Sequence, residues 1–158
     1  MTKRPARVYA DTSVYGGVFD EEFQTVSRAF FDEVRSGRFA IVVSDIVREE
    51  VFGAPHPVRI LFAQISDLAE LAEVDEEVLD LRSAYLGAGI VGHKSLADAL
   101  HVAVATVSRC DVIVSWNFQH IVNWEKIPLY NEINKAKGYR EIAIHTPQQV
   151  IRYENEDF

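Results

Sequence analysis

Short apolar runs alternate along this chain with longer segments in which apolar residues recur every three or four positions. The runs predict buried β-strands, and the longer spacing predicts amphipathic helices. The predicted strands are residues 7–10, 39–43, 112–114 and 142–144. The predicted helices are residues 25–36, 45–52, 58–72, 76–86, 96–108 and 118–122, and a short one after Thr146-Pro147. This alternation predicts an α/β fold with a short, mostly parallel sheet covered on both faces.

Glycine and polar residues predict where these elements begin and end. Gly37 is expected to end the first helix, and three residues are expected as N-caps, namely Ser44, Asp75 and Ser95. Three segments are expected as loops: residues 12–22, 87–94 and 131–140. With no repeat or linker, residues 1–158 are expected to form one domain, with 154–158 as a frayed acidic tail.

Composition narrows the class of protein. The chain has 158 residues, of which 48% are hydrophobic and 25% charged, as in a globular domain. No apolar run is long enough to cross a bilayer, and the first residues do not resemble a secretory signal. Cys110 is the only cysteine, so neither an intrachain disulfide nor a multi-thiolate zinc site is expected. We therefore expect a cytoplasmic protein without membrane association, and its net charge of −8 argues against phosphate binding over the whole surface.

Two acidic residues lie at positions for which both a functional and a structural explanation exist. Asp11 ends the first strand, where α/β proteins bind ligands, although an Asx-turn would explain it as well. Glu50 falls within the apolar stripe of its helix, one turn after Ile46, whereas Glu49 falls on the polar side. Glu50 is therefore expected to face the core or a cleft, the alternative being an edge position that reaches water.

Two further polar residues have structural explanations of their own. Asp98 follows Ser95 by three residues, which is a capping-box spacing, yet it begins a helix that is apolar nearly all round. Asn117 lies just beyond the third strand and could cap the short helix that follows it.

Four segments together resemble the PIN domain, and more narrowly the VapC-type ribonuclease toxins of bacterial toxin–antitoxin pairs. They are VYADTSVYGG, SDIVREEV, SLADALHVAVA and CDVIVSWNFQHI, and the resemblance covers essentially the whole chain. It implies a three-layer α/β/α sandwich with acidic residues around one or two Mg²⁺ or Mn²⁺ ions. By motif, Asp11, Glu50 and Asp98 match the catalytic, metal-holding acids, and Asn117 stands where the family often has a fourth acid.

The resemblance also implies a function and a set of partners. It implies a metal-dependent endoribonuclease acting on RNA, a homodimer and a cognate antitoxin. One firm metal site is expected, and Asn117 makes a second ion uncertain. Four residues are expected to support the acids: Thr12, Ser13, Ser115 and Asn117. Hard divalent cations prefer oxygen ligands, which agrees with this set.

Other candidates carry weaker signals. Three basic residues in the predicted loop before the last strand could contact RNA, or could simply be solvated: Lys135, Lys137 and Arg140. His101, one turn after Asp98, is expected as a core histidine rather than a ligand. Two alternative functions are a degenerate PIN-like module that binds RNA or protein, and a phosphatase with Asp11 as nucleophile, although Ser13 stands where such enzymes usually have a second aspartate.

Overall fold

The computed structural model describes residues 4–152, so the predicted tail at 154–158 lies outside the described part. The β-strands are β1 (Ala6–Ala10), β2 (Phe39–Ser44), β3 (Glu70–Ala72), β4 (Val112–Val114) and β5 (Ala143–His145). The α-helices are α1 (Thr12–Gly17), α2 (Gln24–Arg35), α3 (Asp45–Phe52), α4 (His56–Ser66), α5 (Glu76–Gly87), α6 (Leu96–Val107), α7 (Lys126–Ala136) and α8 (Pro147–Val150). A 3₁₀ turn, His93–Ser95, precedes α6.

The strands form one parallel sheet in the order β3-β2-β1-β4-β5. In the central strand, Val8 pairs with Ile41 of β2 and with Val112 of β4. Successive residues Val8, Tyr9 and Ala10 are all completely buried, which requires cover on both faces of the sheet. The predicted α/β class with a short parallel sheet is confirmed. Because the strands are parallel, their carboxyl ends all lie at the same edge of the sheet.

Several predicted boundaries are found within a residue or two. The side chain of Ser44 accepts a hydrogen bond from the amide of Val47 and caps α3, and Asp75 caps α5 through the amide of Val78. Gly37, after α2, has a φ of +87°, a conformation that glycine adopts without strain. Local capping chemistry therefore located these helix ends.

Two predictions in the first half of the chain are wrong. The expected loop at 12–22 begins with helix α1, which places Val14 and Tyr15 in the core. The expected helix at 58–72 stops with α4 at Ser66, and the edge strand β3 follows. Leu71 of β3 is exposed, so this strand has no run of buried apolar residues. Its sequence pattern could therefore not be distinguished from the spacing of the helix before it.

The predicted loop at 131–140 is also wrong, because its first half belongs to helix α7. Its polar residues are structural: Asn134 is completely buried and hydrogen-bonds to Tyr85, and Asn131 holds both the N–H and the carbonyl of Ile142. The segment at 118–122 forms turns rather than the short helix expected there. Within residues 4–152, none of the helices combines the length and hydropathy needed to cross a bilayer.

Candidate active site

The candidate site lies at the edge where the strands end, between β1 and β4. Strand β1 has β2 as its neighbour on one side and β4 on the other. After β1 the chain first adds strands on the β2 side and then crosses to the β4 side, so the strand order reverses between β1 and β4. Ligands of open α/β sheets bind at such points because the two flanking loops diverge and leave a crevice. Asp11 follows β1 directly, and Ser115 follows β4.

Asp11 is held by hydroxyl groups from both strand ends. Ser13 Oγ donates to one carboxylate oxygen at 2.5 Å, and Ser115 Oγ donates to the other at 2.7 Å. The same hydroxyls accept the backbone amides of Trp116 and Asn117. Asp11 occupies the N-cap position of α1, yet its side chain makes no capping bond. Asp11 therefore does not serve as the cap of the turn that follows β1.

Burial governs the protonation of Asp11. Asp11 is only 4% exposed, and this loss of solvent raises the pKa of its carboxyl. The Glu50 carboxylate raises the pKa further, while His101 and the two serine hydroxyls oppose the shift. A carboxylate held in this way is costly to ionise unless a positive charge joins it.

Glu50 lies at the rim of the crevice rather than in the core. Its side chain is 38% exposed, so the expectation that Glu50 faces the core is wrong and the alternative, an edge position that reaches water, is the one found. Thr12 Oγ1 and His101 Nε2 both contact its Oε1, at 2.7 and 2.6 Å. Desolvation alone would raise the pKa of Glu50, but the contacts with His101 and Thr12 outweigh it and lower the pKa. Glu49 is exposed, as expected.

Asp98 is half-buried near the start of α6, and the capping box expected with Ser95 is absent, because the Ser95 side chain makes no capping bond. Burial raises the pKa of Asp98 and Glu50 raises it further, whereas His120, His101 and a hydrogen bond with Asn117 lower it.

Asn117 serves the turn after β4. Its Oδ1 accepts the amides of Gln119 at 3.2 Å and His120 at 3.0 Å. Because that oxygen faces two N–H groups, only the side-chain nitrogen of Asn117 is left to interact with Asp98. The capping interpretation of Asn117 is therefore the one that the geometry supports, with a turn in place of a helix.

Glu50 is the acid that links the other two. Glu50 acts electrostatically on both Asp11 and Asp98. Within residues 4–152, however, no group of three or more His, Cys, Asp or Glu side chains is close enough to surround one ion. Carboxylate oxygens suit Mg²⁺ or Mn²⁺, and Mg²⁺ is commonly held by one or two carboxylates with water in its remaining positions. The donor type therefore suits such an ion, although among residues 4–152 the three carboxylates do not form a ready-made group around one.

The three basic residues expected as possible RNA contacts, Lys135, Lys137 and Arg140, are not part of this crevice. Lys135 lies in α7 and pairs with Glu141 at 3.1 Å, and Arg140 donates to the carbonyl of Arg109 at 2.7 Å. Arg140 also pairs with Asp111, which immediately precedes β4, so these side chains lie at the opposite edge of the sheet. Lys137 follows at the end of α7. The structure does not bring these residues to the acids.

Sequence reasoning missed the contacts behind Glu50. His101 is buried, as expected, but it also binds the Tyr9 hydroxyl at 2.7 Å through Nδ1. That hydroxyl is 2.8 Å from Ser44 Oγ. The residues on either side of Tyr9, Val8 and Ala10, are apolar, so nothing next to it in the sequence indicated this contact. Trp116, which follows Ser115, stacks on Phe23 and donates to Ser27.

The fold has a counterpart among solved structures. A chain from the structure of VapBC2 of Rickettsia felis, bound to a DNA fragment from its promoter, matches with a TM-score of 0.56. The match covers 89% of this chain and 98% of that one, at 12% sequence identity. This chain has a PIN-like fold. No protein-family model matches it, and no curated protein does. In this PIN-like fold, the strand-end crevice holds Asp11, Glu50 and Asp98.

Proposed function

We propose that this protein is a divalent-metal-dependent endoribonuclease and the toxin of a type II toxin–antitoxin pair. The observation that carries the proposal is the buried Asp11, held by Ser13 and Ser115 where the strand order reverses, with Glu50 near enough to act on both Asp11 and Asp98. The likeness in fold to a chain of a VapBC2 complex supports the same function.

Asp11, Asp98 and Glu50 would hold the Mg²⁺ or Mn²⁺ ion. When bound, such an ion lowers the pKa of water and stabilises negative charge on the leaving oxygen of a phosphodiester. The protein's own groups fix the carboxylates: Ser13 and Ser115 orient Asp11, and Thr12 orients Glu50. Since Asn117 turns its oxygen toward backbone amides, we propose one ion held by the protein rather than two.

The crevice is a poor site for the phosphatase alternative. Both oxygens of Asp11 accept hydroxyl hydrogens, and the group is almost completely buried, which hinders attack on phosphorus. The place of the second aspartate is held by Ser13, whose hydroxyl already binds Asp11.

A non-cleaving PIN-like module remains the second candidate. The orientation of Asn117 and the absence of a three-acid group within residues 4–152 favour it. Such a module would bind RNA or protein with the same crevice and would not need metal.

The test is hydrolysis of single-stranded RNA with purified full-length protein, with and without Mn²⁺ or Mg²⁺. We expect cleavage that requires metal, is abolished in Asp11→Asn and persists in Glu49→Gln, which changes an exposed carboxylate on the same helix as Glu50. RNA binding without cleavage at any metal concentration would establish the second candidate instead.

Antitoxin binding and dimerisation are parts of the same proposal. Several apolar side chains on or beside α4 and α5 are exposed, which offers surface for both interactions: Ile60, Leu68, Leu71 and Leu79. A cytoplasmic location follows from the proposed RNA target. Inhibition of cleavage by the product of a neighbouring reading frame tests the pairing.

A further inference from the structure

Glu50 belongs to a hydrogen-bonded circuit that returns to its own helix. Glu50 contacts His101, His101 contacts Tyr9, Tyr9 contacts Ser44, and Ser44 caps α3, the helix that carries Glu50. The four distances are 2.6, 2.7, 2.8 and, for the capping bond from the Val47 amide, 3.4 Å. The circuit joins β1, β2, α3 and α6.

The donors and acceptors of this circuit form one consistent chain. An ionised Glu50 can only accept, so His101 donates from Nε2. In that tautomer Nδ1 accepts from the Tyr9 hydroxyl, whose oxygen then accepts from Ser44. A phenolic hydroxyl has a proton to donate and an oxygen that accepts, so Tyr9 can serve both neighbours. Ser44 in turn accepts the Val47 amide.

The arrangement restrains one oxygen of Glu50 and leaves the other for a ligand. Thr12 and His101 both bind Oε1, and no hydrogen bond from the described residues reaches Oε2. An unrestrained glutamate at 38% exposure would populate several rotamers. Partners of this kind are the ones that fix ligating carboxylates in metal sites.

We propose that His101, supported by Tyr9 and Ser44, is a positioning residue that holds Glu50 in the orientation needed to bind the divalent ion. The inference rests on the proposed function and adds to it the group that orients its most exposed acid. His101 does not itself touch the ion in this proposal.

A matched pair of substitutions separates positioning from packing. In His101→Gln the side-chain amide can reach the Nε2 position and keep the hydrogen bond with Glu50. In His101→Asn the amide reaches only the Nδ1 position, so it can bind Tyr9 but not Glu50. Tyr9→Phe removes the support from behind the imidazole. His56→Gln, at an exposed histidine at the start of α4, is the control.

Mn²⁺ binding is measured by calorimetry on the full-length protein, and imidazole ¹⁵N shifts are recorded without metal. We expect an Nε2–H tautomer for His101, a dissociation constant raised about 10–100-fold in His101→Asn, and a smaller rise in Tyr9→Phe. His101→Gln should stay near wild type, and His56→Gln should equal it.

The outcomes distinguish the two proposals. If wild type binds Mn²⁺ and the Asn and Gln variants weaken it equally, the positioning role is overturned while the proposed metal site stands. If wild type binds no Mn²⁺ although the tautomer is as expected, the metal-dependent function is overturned, and the role of His101 at the metal with it. An Nδ1–H tautomer overturns the circuit regardless of metal.

Discussion

At the scale of single residues, Asp11 is held by two serine hydroxyls that also bind the backbone. Ser13 and Ser115 each accept a backbone amide while donating to Asp11, so the two strand ends and the carboxylate form one unit. Burial nevertheless outweighs these hydroxyl bonds and raises the pKa of Asp11. Asp11 is therefore expected to reduce the stability of the metal-free protein.

Asp11→Asn should stabilise the protein when metal is absent. Burial raises the pKa of Asp11, so the ionised group favours the unfolded chain at neutral pH. We expect a gain of about 0.5–2 kcal/mol in the free energy of unfolding, measured by urea denaturation in EDTA. The difference from wild type should shrink as the pH falls toward about 3.9, the ordinary pKa of an aspartate in an unfolded chain. A less stable variant at pH 7 would show that the carboxylate is favourable where it lies.

At the scale of elements, helix α1 places the crevice residues by its direct connection to β1. It begins immediately after Asp11, so Thr12 and Ser13 are fixed by its first turn. Its last residue, Gly17, packs against the hydrogen bond between Trp116 and Ser27. The helix is only six residues long, so it depends on this close packing rather than on its own hydrogen bonds.

Two neighbouring glycines of α1 should respond oppositely to alanine. A methyl group at Gly17 would lie 2.6 Å from Ser27 Oγ and 3.0 Å from Trp116 Nε1, whereas one at Gly16 would meet no atom within 4 Å. We expect Gly17→Ala to destabilise the protein by about 1–3 kcal/mol. Gly16→Ala should stabilise it by up to about 1 kcal/mol, since alanine restricts the unfolded chain. Thermal unfolding of both variants measures this, and equal effects would contradict the packing at Gly17.

The elements that could be predicted are those with strong local signals. Apolar strands, and helices marked by Ser44, Asp75 or Gly37, were found because periodicity and capping chemistry act over a few residues. Helix α7 was missed because its buried Asn134 is typical of a loop until Tyr85, 49 positions away, is known to bind it. The same limit applies to the site: motif resemblance indicated Asp11, Glu50 and Asp98, but the hydrogen bonds of Glu50 depend on tertiary structure.

At the scale of the whole molecule, the sheet separates an acidic end from a basic one. The carboxylates lie where the strands end, and a cavity of about 660 Å³ at the opposite end is lined by arginines that include Arg7, Arg109 and Arg140. Between them lies roughly 17 Å, the length of five-residue β1 at about 3.3 Å per residue. Arginines therefore gather at one end of a chain whose net charge is −8, although Glu77 also lines the cavity and Arg7 and Arg140 pair with Glu70 and Asp111. A long RNA could reach both ends, whereas a short one could reach only the acids.

Removing the basic residues at the far end should affect long RNA alone. Replacing Lys135, Lys137 and Arg140 with alanine is expected to leave kcat/KM for an RNA of about four nucleotides within twofold of wild type. For an RNA of roughly 20 nucleotides, affinity should fall, and the dependence of log K on log salt should flatten by about 0.7 for each phosphate that the variant no longer neutralises. Replacing the exposed Lys94, which lies in the 3₁₀ turn before α6, provides a lysine control. Weaker cleavage of the short RNA would mean that these residues influence the crevice. Unchanged binding of the long RNA would mean that their charges are already balanced by Glu141, which pairs with Lys135, and by Asp111, which pairs with Arg140.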